Sequence, residues 1–183
     1  MNETAHTFNL GSFLLDKQGW GRAAGVRTQQ QLQDYLKARP AVGLFRLSMQ
    51  GVKRLDVTFA AEALVGLVAQ YRGDRRLCLV DLADADITEN IAAAAERMQV
   101  PVTIWQGHRV QVLGVPPGSG ARHAMAFALA RPQVRAADYA AAAGLSITNA
   151  SSRLNRLWSA GCLLRRAGAA SSGGAEYVYR PIG

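Results

Sequence analysis

A run of short polar and arginine side chains in the C-terminal third of the sequence could hydrogen-bond to nucleic acid. Ala150, Leu154 and Leu157 recur at i, i+4 and i+7, the spacing that places residues on one face of a helix. The other faces of that helix would carry hydrogen-bonding side chains, namely Ser146, Thr148, Asn149, Ser151, Ser152, Arg153, Asn155 and Arg156. Such side chains suit the base edges and phosphates of a major groove. We expect Asn149 and Arg153 to read bases and Arg156 to contact phosphate.

Arginines also mark the two segments that follow this predicted helix. Arg165 and Arg166 end the run CLLRR, and Arg180 ends the run EYVYR. The residues between the two runs are almost all Ala, Gly and Ser, which predicts a β-hairpin over 162–180. From such a hairpin the three arginines could contact phosphates or enter the minor groove.

The positive charge of the chain is concentrated in the same region. The 183 residues carry a net charge of +8. Residues 1–113 contribute +2, from 13 Lys and Arg against 11 Asp and Glu, whereas residues 114–183 contribute +6, from eight arginines against Asp138 and Glu176. A basic excess is expected of a module that binds phosphates, although on charge alone a basic domain could equally meet an acidic protein partner.

Three helices are predicted between residue 121 and the hairpin. The first covers 121–130 and is closed by Pro132. The second covers 135–143 and is ended by Gly144, a residue that tolerates the positive φ of a helix exit. Ser146 then caps the third helix, which we expect to run to about residue 160.

The residues before this region predict alternating strands and helices. Predicted strands lie at 7–15 (one strand or a pair), 42–48, 77–82, 102–105 and 110–113, and predicted helices lie at 28–38, from near Thr58 to Tyr71, and at 87–98. The Gly-rich segment 16–25 is expected to be a loop, and the capping-box spacing of Thr28 and Gln31 is expected to open the first helix. This order predicts an α/β fold, a small sheet with helices packed on it.

The Pro-, Gly- and Ser-rich segment VPPGSG marks the best boundary between domains. We therefore predict an α/β domain over 1–113, a linker over 114–120 and a domain of three helices and a hairpin over 121–183.

Two other groups of residues could do chemistry, but both have simpler structural explanations. Asp81, Asp84 and Asp86 could hold magnesium or act as acid and base, yet no nucleophile or phosphate loop accompanies them, which favours a solvated turn. The glycines of GWGRAAG are spaced like those of a nucleotide loop, but no strong strand leads into them, which favours a plain loop.

The cysteines and histidines give no sign of a metal site. Cys78 and Cys162 lie in or beside apolar runs, as is typical of small buried side chains. His6, His108 and His123 have no Cys or His at ligand spacing. We expect no disulfide, no metal and no cofactor.

The segment DYAAAAGLSITNASSRLNRLWSAGCLLRR (138–166) and the hairpin after it resemble the winged helix-turn-helix domain of bacterial regulators, over roughly residues 119–182. The A-A-x-x-G-L-S turn, the L-x-x-L spacing, the A-G-x-L-x-R exit and the hairpin come in that order. The resemblance implies three helices, a β-hairpin wing and binding of double-stranded DNA, although some winged helices contact protein instead. Position 152 is Ser where many such regulators carry Arg, so base readout is either weak or rests on Asn149, Arg153 and Asn155.

The segment GVKRLDVTFAAEALVGLVAQY (51–71), between VGLFRLS and RRLCLVDL, resembles the STAS-like domains related to anti-anti-sigma factors, over about residues 7–113. The resemblance implies a regulatory domain without enzymatic activity, often working with an ATPase of the histidine-kinase type. In true anti-anti-sigma factors a phosphorylated Ser follows the turn aspartate, whereas here Asp56 is followed by Val57 and then Thr58. Thr58 is therefore the candidate phosphosite, and its alternative role is the N-cap of the helix.

Together these observations predict a DNA-binding transcriptional regulator, not an enzyme, in which a STAS-like domain controls a winged helix-turn-helix. We expect a homodimer, because one recognition helix rarely gives operator affinity. The alternative function is a protein-protein interaction module, an antagonist in a partner-switching pathway with a histidine-kinase-like ATPase. No apolar run of about 18 residues could span a bilayer, and the N-terminus lacks the order of a secretory signal, so we expect a cytoplasmic protein with no membrane partner.

Overall fold

The computed structural model describes residues 4–72, 75–114, 118–169 and 175–183. These residues form ten strands and six helices. The chain divides into two compact units, Met1–Val115 with Gly183 and Pro116–Ile182. Part of the predicted linker, residues 115–117, lies outside the described residues.

The first unit is built on a five-stranded sheet. Its strands, in spatial order, are β1 (Ala5–Asn9), β3 (Leu44–Ser48), β5 (Arg76–Val80), β6 (Val102–Gln106) and β7 (Arg109–Leu113). The first four run parallel, and β7 runs antiparallel to β6 after a turn at Gly107 and His108. Two short strands, β2 (Gln18–Gly19) and β4 (Arg54–Leu55), pair with each other in parallel.

Three helices connect the parallel strands. They are α1 (Gly21–Lys37), α2, which runs through Val57–Phe59, Ala60–Val65 and Gly66–Gln70, and α3 (Ala85–Met98). One continuous apolar core joins Phe45, Leu47, Leu77 and Ile104 of the sheet to side chains of all three helices. Parallel strands need such crossovers, and each buries its apolar face against the sheet. The predicted α/β class with a small sheet is confirmed.

The prediction for α1 was wrong at its start. The helix begins at Gly21 rather than 28, so half of the expected loop 16–25 is helical, and Thr28 is buried in the helix instead of capping it. The cause lies in packing against α2: a Cβ on Gly25 would lie 2.9 Å from Cβ of Glu62 and 3.2 Å from the Phe59 carbonyl oxygen. The glycine therefore permits a close helix contact rather than a loop.

The middle of α2, Ala60–Val65, is a π-helix. At the following residue, Gly66, an added Cβ would lie 2.6 Å from Nε2 of Gln29 on α1. The widened turn and the two glycines thus belong to one tight α1–α2 interface.

Asp56 fixes the start of both α1 and α2. Its Oδ1 accepts a hydrogen bond of 2.6 Å from the Phe59 amide, and its Oδ2 accepts one of 2.8 Å from the Gly21 amide. Asp56 is therefore the N-cap of α2, which corrects the expectation that Thr58 caps this helix. Thr58 lies half-buried in the first turn of α2, and its role as a phosphosite stays a prediction.

The segment predicted as a strand or strand pair at 7–15 is one strand followed by two turns of 3₁₀ helix, Leu10–Phe13 and Leu15–Lys17. Asn9 ends the strand, because its side chain accepts a hydrogen bond of 2.7 Å from the Gly11 amide. Side-chain hydrogen bonds of this kind compete with the strand ladder and start turns.

The second unit contains three helices and a small antiparallel sheet. The helices are α4 (Ser119–Leu129), α5 (Ala136–Ala143) and α6 (Ile147–Ser159). The sheet has the order β8 (Val134–Arg135), β10 (Ala175–Pro181), β9 (Leu163–Ala169). The hairpin of β9 and β10 lies close to the predicted bounds, and β8 was not predicted; residues 170–174 of the hairpin turn lie outside the described residues.

Candidate nucleic-acid interface

A tight turn places α6 after α5. Gly144 adopts a left-handed conformation with φ of 63°, and the Leu145 amide donates to the Ala140 carbonyl over 3.0 Å. The Ser146 hydroxyl then accepts a hydrogen bond of 3.2 Å from the Asn149 amide and caps α6. Helix exit and helix cap are therefore separated by a single residue, which fixes the direction of α6 relative to α5.

One face of α6 is completely buried, as its spacing predicts. Ala150, Leu154 and Leu157 have no exposed surface. At 100° per residue, the opposite side of the helix carries Thr148, Ser152, Asn155 and Arg156, all of which are exposed. These four residues are called the outer stripe below. Asn149, also exposed, lies beside the stripe in the first turn.

Arg153 does not belong to this exposed side, which corrects the role expected for it. Its position on the helix lies next to the buried face, and its Nη1 is 3.5 Å from the buried Tyr139 hydroxyl. A Cβ on Gly120, at the start of α4, would lie 3.4 Å from Cζ of Arg153. The Arg153 guanidinium therefore packs among α4, α5 and α6 instead of pointing outward.

Arg165 on β9 is held between two aromatic rings. Its Cζ lies 3.4 Å from the ring centroid of Trp158 and 4.1 Å from that of Tyr177. Its Nη1 donates a hydrogen bond of 2.7 Å to Oδ1 of Asn155 in the outer stripe. The wing strand and α6 are thus joined by a stacked and hydrogen-bonded arginine.

Three further predicted site residues, Arg166, Ser151 and Arg180, differ in how far they are exposed. Arg166 is exposed, and its Nη2 lies 3.4 Å from Oε1 of Gln133. Ser151 and Arg180 are half-buried. Burial raises the pKa of the Tyr179 hydroxyl, while the positive charge of Arg165 acts in the opposite direction. Ser151, one residue after the buried Ala150, therefore lies outside the outer stripe.

Most arginine side chains of the second unit contact neighbouring side chains. Arg131 stacks 3.6 Å above the Phe127 ring, and Arg135 pairs with Glu176 at 3.6 Å. The side chains of Arg122 and Arg156 are exposed and make no hydrogen bond, ion pair or ring contact within the described ranges. Of these two, Arg156 lies on α6.

Sequence reasoning missed three contributors to this surface. Ile147, at the first position of α6, is 62% exposed, although a large aliphatic side chain is usually buried. Trp158 and Tyr177 hold Arg165, and no spacing rule pairs them, since Tyr177 lies on a different element. An apolar residue directly after the cap of a polar helix was the one signal that could have revealed Ile147.

The aspartates of the first unit lie in separate structural roles. Asp81 accepts a hydrogen bond of 2.6 Å from the Ser48 hydroxyl, and Asp84 is the N-cap of α3 through the Ile87 amide. Asp86 lies exposed in the first turn of α3. Two of the three carboxylates therefore serve turns and caps, as expected for a strand-to-helix connection.

Comparison with models of protein families, with curated proteins and with solved structures gave no match. Among the described helices, none combines the length and apolar character needed to cross a membrane.

Proposed function

We propose that the second unit is a winged helix-turn-helix that binds double-stranded DNA, with α6 as the recognition helix and the β9–β10 hairpin as the wing. The support is architectural: two helices joined by a tight turn, with the second helix exposing polar side chains and a hairpin following it. A helix in a major groove contacts base edges with its outer side while its other side packs on the domain core.

The observation that carries this proposal is the chemistry of the outer stripe. It presents hydroxyl, amide and guanidinium groups and no carboxylate. The two acids of the unit are engaged elsewhere, since Asp138 accepts from the Arg135 amide over 2.9 Å and Glu176 pairs with the Arg135 guanidinium. A phosphate backbone approaching α6 would therefore meet hydrogen-bond donors and no negatively charged side chain.

We also propose how α6 would read bases. Because Oδ1 of Asn155 accepts from Arg165, the amide nitrogen Nδ2 is left to donate toward the groove, where guanine and thymine present acceptors. Asn149 and Ser152 add short polar groups, and exposed Ile147 suits the methyl group of thymine. In this scheme Arg165 positions Asn155, and Arg156 and Arg166 contact phosphate.

The first unit would then be a STAS-like regulatory domain that receives a signal or a protein partner. Its support is the fold class and the helix α2 that begins directly after Asp56. No catalytic step is assigned to it.

The test is fluorescence anisotropy of labelled DNA duplexes across a salt series. The duplexes are fragments from upstream of the protein's own gene and a random sequence of equal length. We expect binding that weakens steeply with salt, and a slope that falls by about 0.9 for each phosphate contact removed in Arg156→Ala and Arg166→Ala. Arg131→Ala, just after the end of α4, makes the same change in charge at an exposed position and should leave the slope unchanged.

Absence of binding at low salt would contradict the proposal. It would favour the alternative, an interaction module in a partner-switching pathway with a histidine-kinase-like ATPase.

A further inference from the structure

Two large apolar side chains that lie five positions apart in the first unit are exposed to solvent. Leu15 is 85% exposed and Trp20 is 52% exposed. Trp20 lines two hollows, one of about 450 Å³ that Leu15 also lines and a separate one of about 510 Å³. We call Leu15, Trp20 and these hollows the Trp20 face.

Leu15 is exposed because the backbone directly after it is fixed in an unusual conformation. Asp16 and Lys17, directly after it, both adopt positive φ values, 50° and 61°. The Lys17 ammonium donates to the Gly11 carbonyl over 2.9 Å, and the Lys17 carbonyl accepts from the Lys53 amide over 2.9 Å. Non-glycine residues keep this conformation where the surrounding structure imposes it, and here it holds Leu15 away from the core.

The indole of Trp20 is also oriented. Its Nε1 donates to Oε1 of Gln18 over 3.2 Å, and Gln18 lies on β2, which pairs with β4. A preorganised, exposed tryptophan that lines two hollows is the kind of residue that anchors protein interfaces.

The charges around Trp20 indicate what covers it. The first hollow carries one carboxylate and one guanidinium, Asp16 and Arg27. The second carries two cations and two carboxylates, Lys53 and Arg54 with Asp84 and Asp86. None of the charged side chains of the first hollow forms an ion pair with another described residue. A strongly acidic or basic partner would meet like charge in both hollows, whereas a copy of the same surface would meet opposite charge.

We propose that the Trp20 face is a homodimer interface, in which two copies of this chain pair by two-fold symmetry and Asp16 of each meets Arg27 of the other. A two-fold interface uses the same patch on both copies, so the patch has to be complementary to itself. Pairing through residues 1–113, with a net charge of +2, also brings less like charge together than pairing through residues 114–183, with +6. The inference goes beyond the proposed function, because it concerns a surface of the other unit and needs no DNA.

Sedimentation of the full chain over a dilution series tests the interface without DNA. We expect a monomer–dimer equilibrium, with the dimer dissociation constant raised roughly tenfold or more by Leu15→Asp. Since Leu15 is already exposed, this change should leave circular dichroism and thermal unfolding of the monomer as in wild type. Lys37→Asp, at the far end of α1, is the control and should leave the dissociation constant as it is.

A charge exchange makes the test specific to a second copy. Asp16→Lys alone and Arg27→Asp alone should each weaken the dimer, and the two changes in one chain should restore it, because each introduced ammonium would again meet an introduced carboxylate of the other copy. A chain that stays monomeric at all concentrations, or a dimer that none of these changes affects, would overturn the proposal. The sedimentation experiment contains no DNA and the anisotropy experiment measures DNA binding directly, so the two proposals fail separately.

Discussion

The exposed surface of the first unit differs in chemistry from that of the second. Around Trp20, large apolar groups lie between balanced charges, whereas the outer stripe of α6 exposes hydroxyl, amide and guanidinium groups. Covering exposed apolar surface is favourable because water is removed from it. A polar, cationic stripe instead binds favourably by exchanging water and counterions for phosphates and bases. The two proposed interfaces would therefore respond differently to solution conditions, salt above all.

The two surfaces also differ in how their backbones are held. The start of α1 and the start of α2 share one carboxylate, Asp56, whereas α6 depends on the single hydroxyl of Ser146. Charged caps with two hydrogen bonds hold a helix start more firmly than one neutral hydroxyl. The five predictions below run from the largest expected effect to the smallest, and those at Asp56 and Ser146 test this contrast.

The largest effect is expected in the reactivity of Cys78. Burial raises the pKa of its thiol from 9.0 to about 12, although the charge of Arg46 lowers it somewhat. At pH 8 this reduces the reactive thiolate by about a thousandfold compared with the unfolded chain. Labelling with an aromatic disulfide reagent in a Cys162→Ala background should show this difference between native and urea-unfolded protein. A rapid native reaction would contradict the buried position of Cys78.

The raised pKa of Cys78 also determines whether stability rises or falls with pH. The folded pKa is raised, so the contribution of Cys78 is fully present below the unfolded pKa of 9.0 and is lost as the pH rises toward about 12. Cys78→Ala should flatten the decline of stability in this range.

Asp56→Ala should destabilise the first unit by about 3 kcal/mol, because it removes a helix cap and a second charge-assisted hydrogen bond. Urea unfolding followed by tryptophan fluorescence in a Trp158→Phe background reports this unit through Trp20 and Trp105. Asp86→Ala, which removes an exposed carboxylate from the first turn of α3, is the matched control and should change stability by less than about 0.5 kcal/mol. Equal effects of the two changes would remove the special role of Asp56.

Arg165→Ala should destabilise the second unit by about 1 to 2 kcal/mol, because it loses two ring contacts and the hydrogen bond to Asn155. Arg156→Ala removes the same charge from an exposed position and should stay within about 0.5 kcal/mol of wild type. Urea unfolding of a Trp20→Phe, Trp105→Phe background follows Trp158. Equal losses of stability in the two variants would show that the stacking of Arg165 does not stabilise the second unit.

Ser146→Ala should cost about 1 kcal/mol through loss of the α6 cap. Ser146→Thr retains a hydroxyl and should recover most of the loss. The same fluorescence assay applies, and a Thr variant as unstable as the Ala variant would show that the hydroxyl does not act as a cap.

Local patterns predicted most of the fold. The spacing of Ala150, Leu154 and Leu157, the exit at Gly144 and the cap at Ser146 each depend on residues a few positions apart, and the structure places all of them as expected. The apolar run that became β5 and the amphipathic run that became α3 were likewise visible.

What the sequence could not reveal depends on partners that lie far apart along the chain. The start of α1 is decided by the contact of Gly25 with α2, more than 30 residues away, and by the second hydrogen bond of Asp56. Arg153 sits at the border of the buried face, and only the position of Tyr139 shows that its guanidinium turns inward. The hydrogen bond of Arg165 to Asn155 likewise needs the wing to fold back on α6.

Hydrogen exchange with and without a DNA duplex would report which helix the DNA touches. We expect slower exchange for peptides that cover α6 and β9, and no change for α3 of the first unit. DNA binding that leaves the exchange of α6 unchanged would contradict the assignment of this helix as the recognition element.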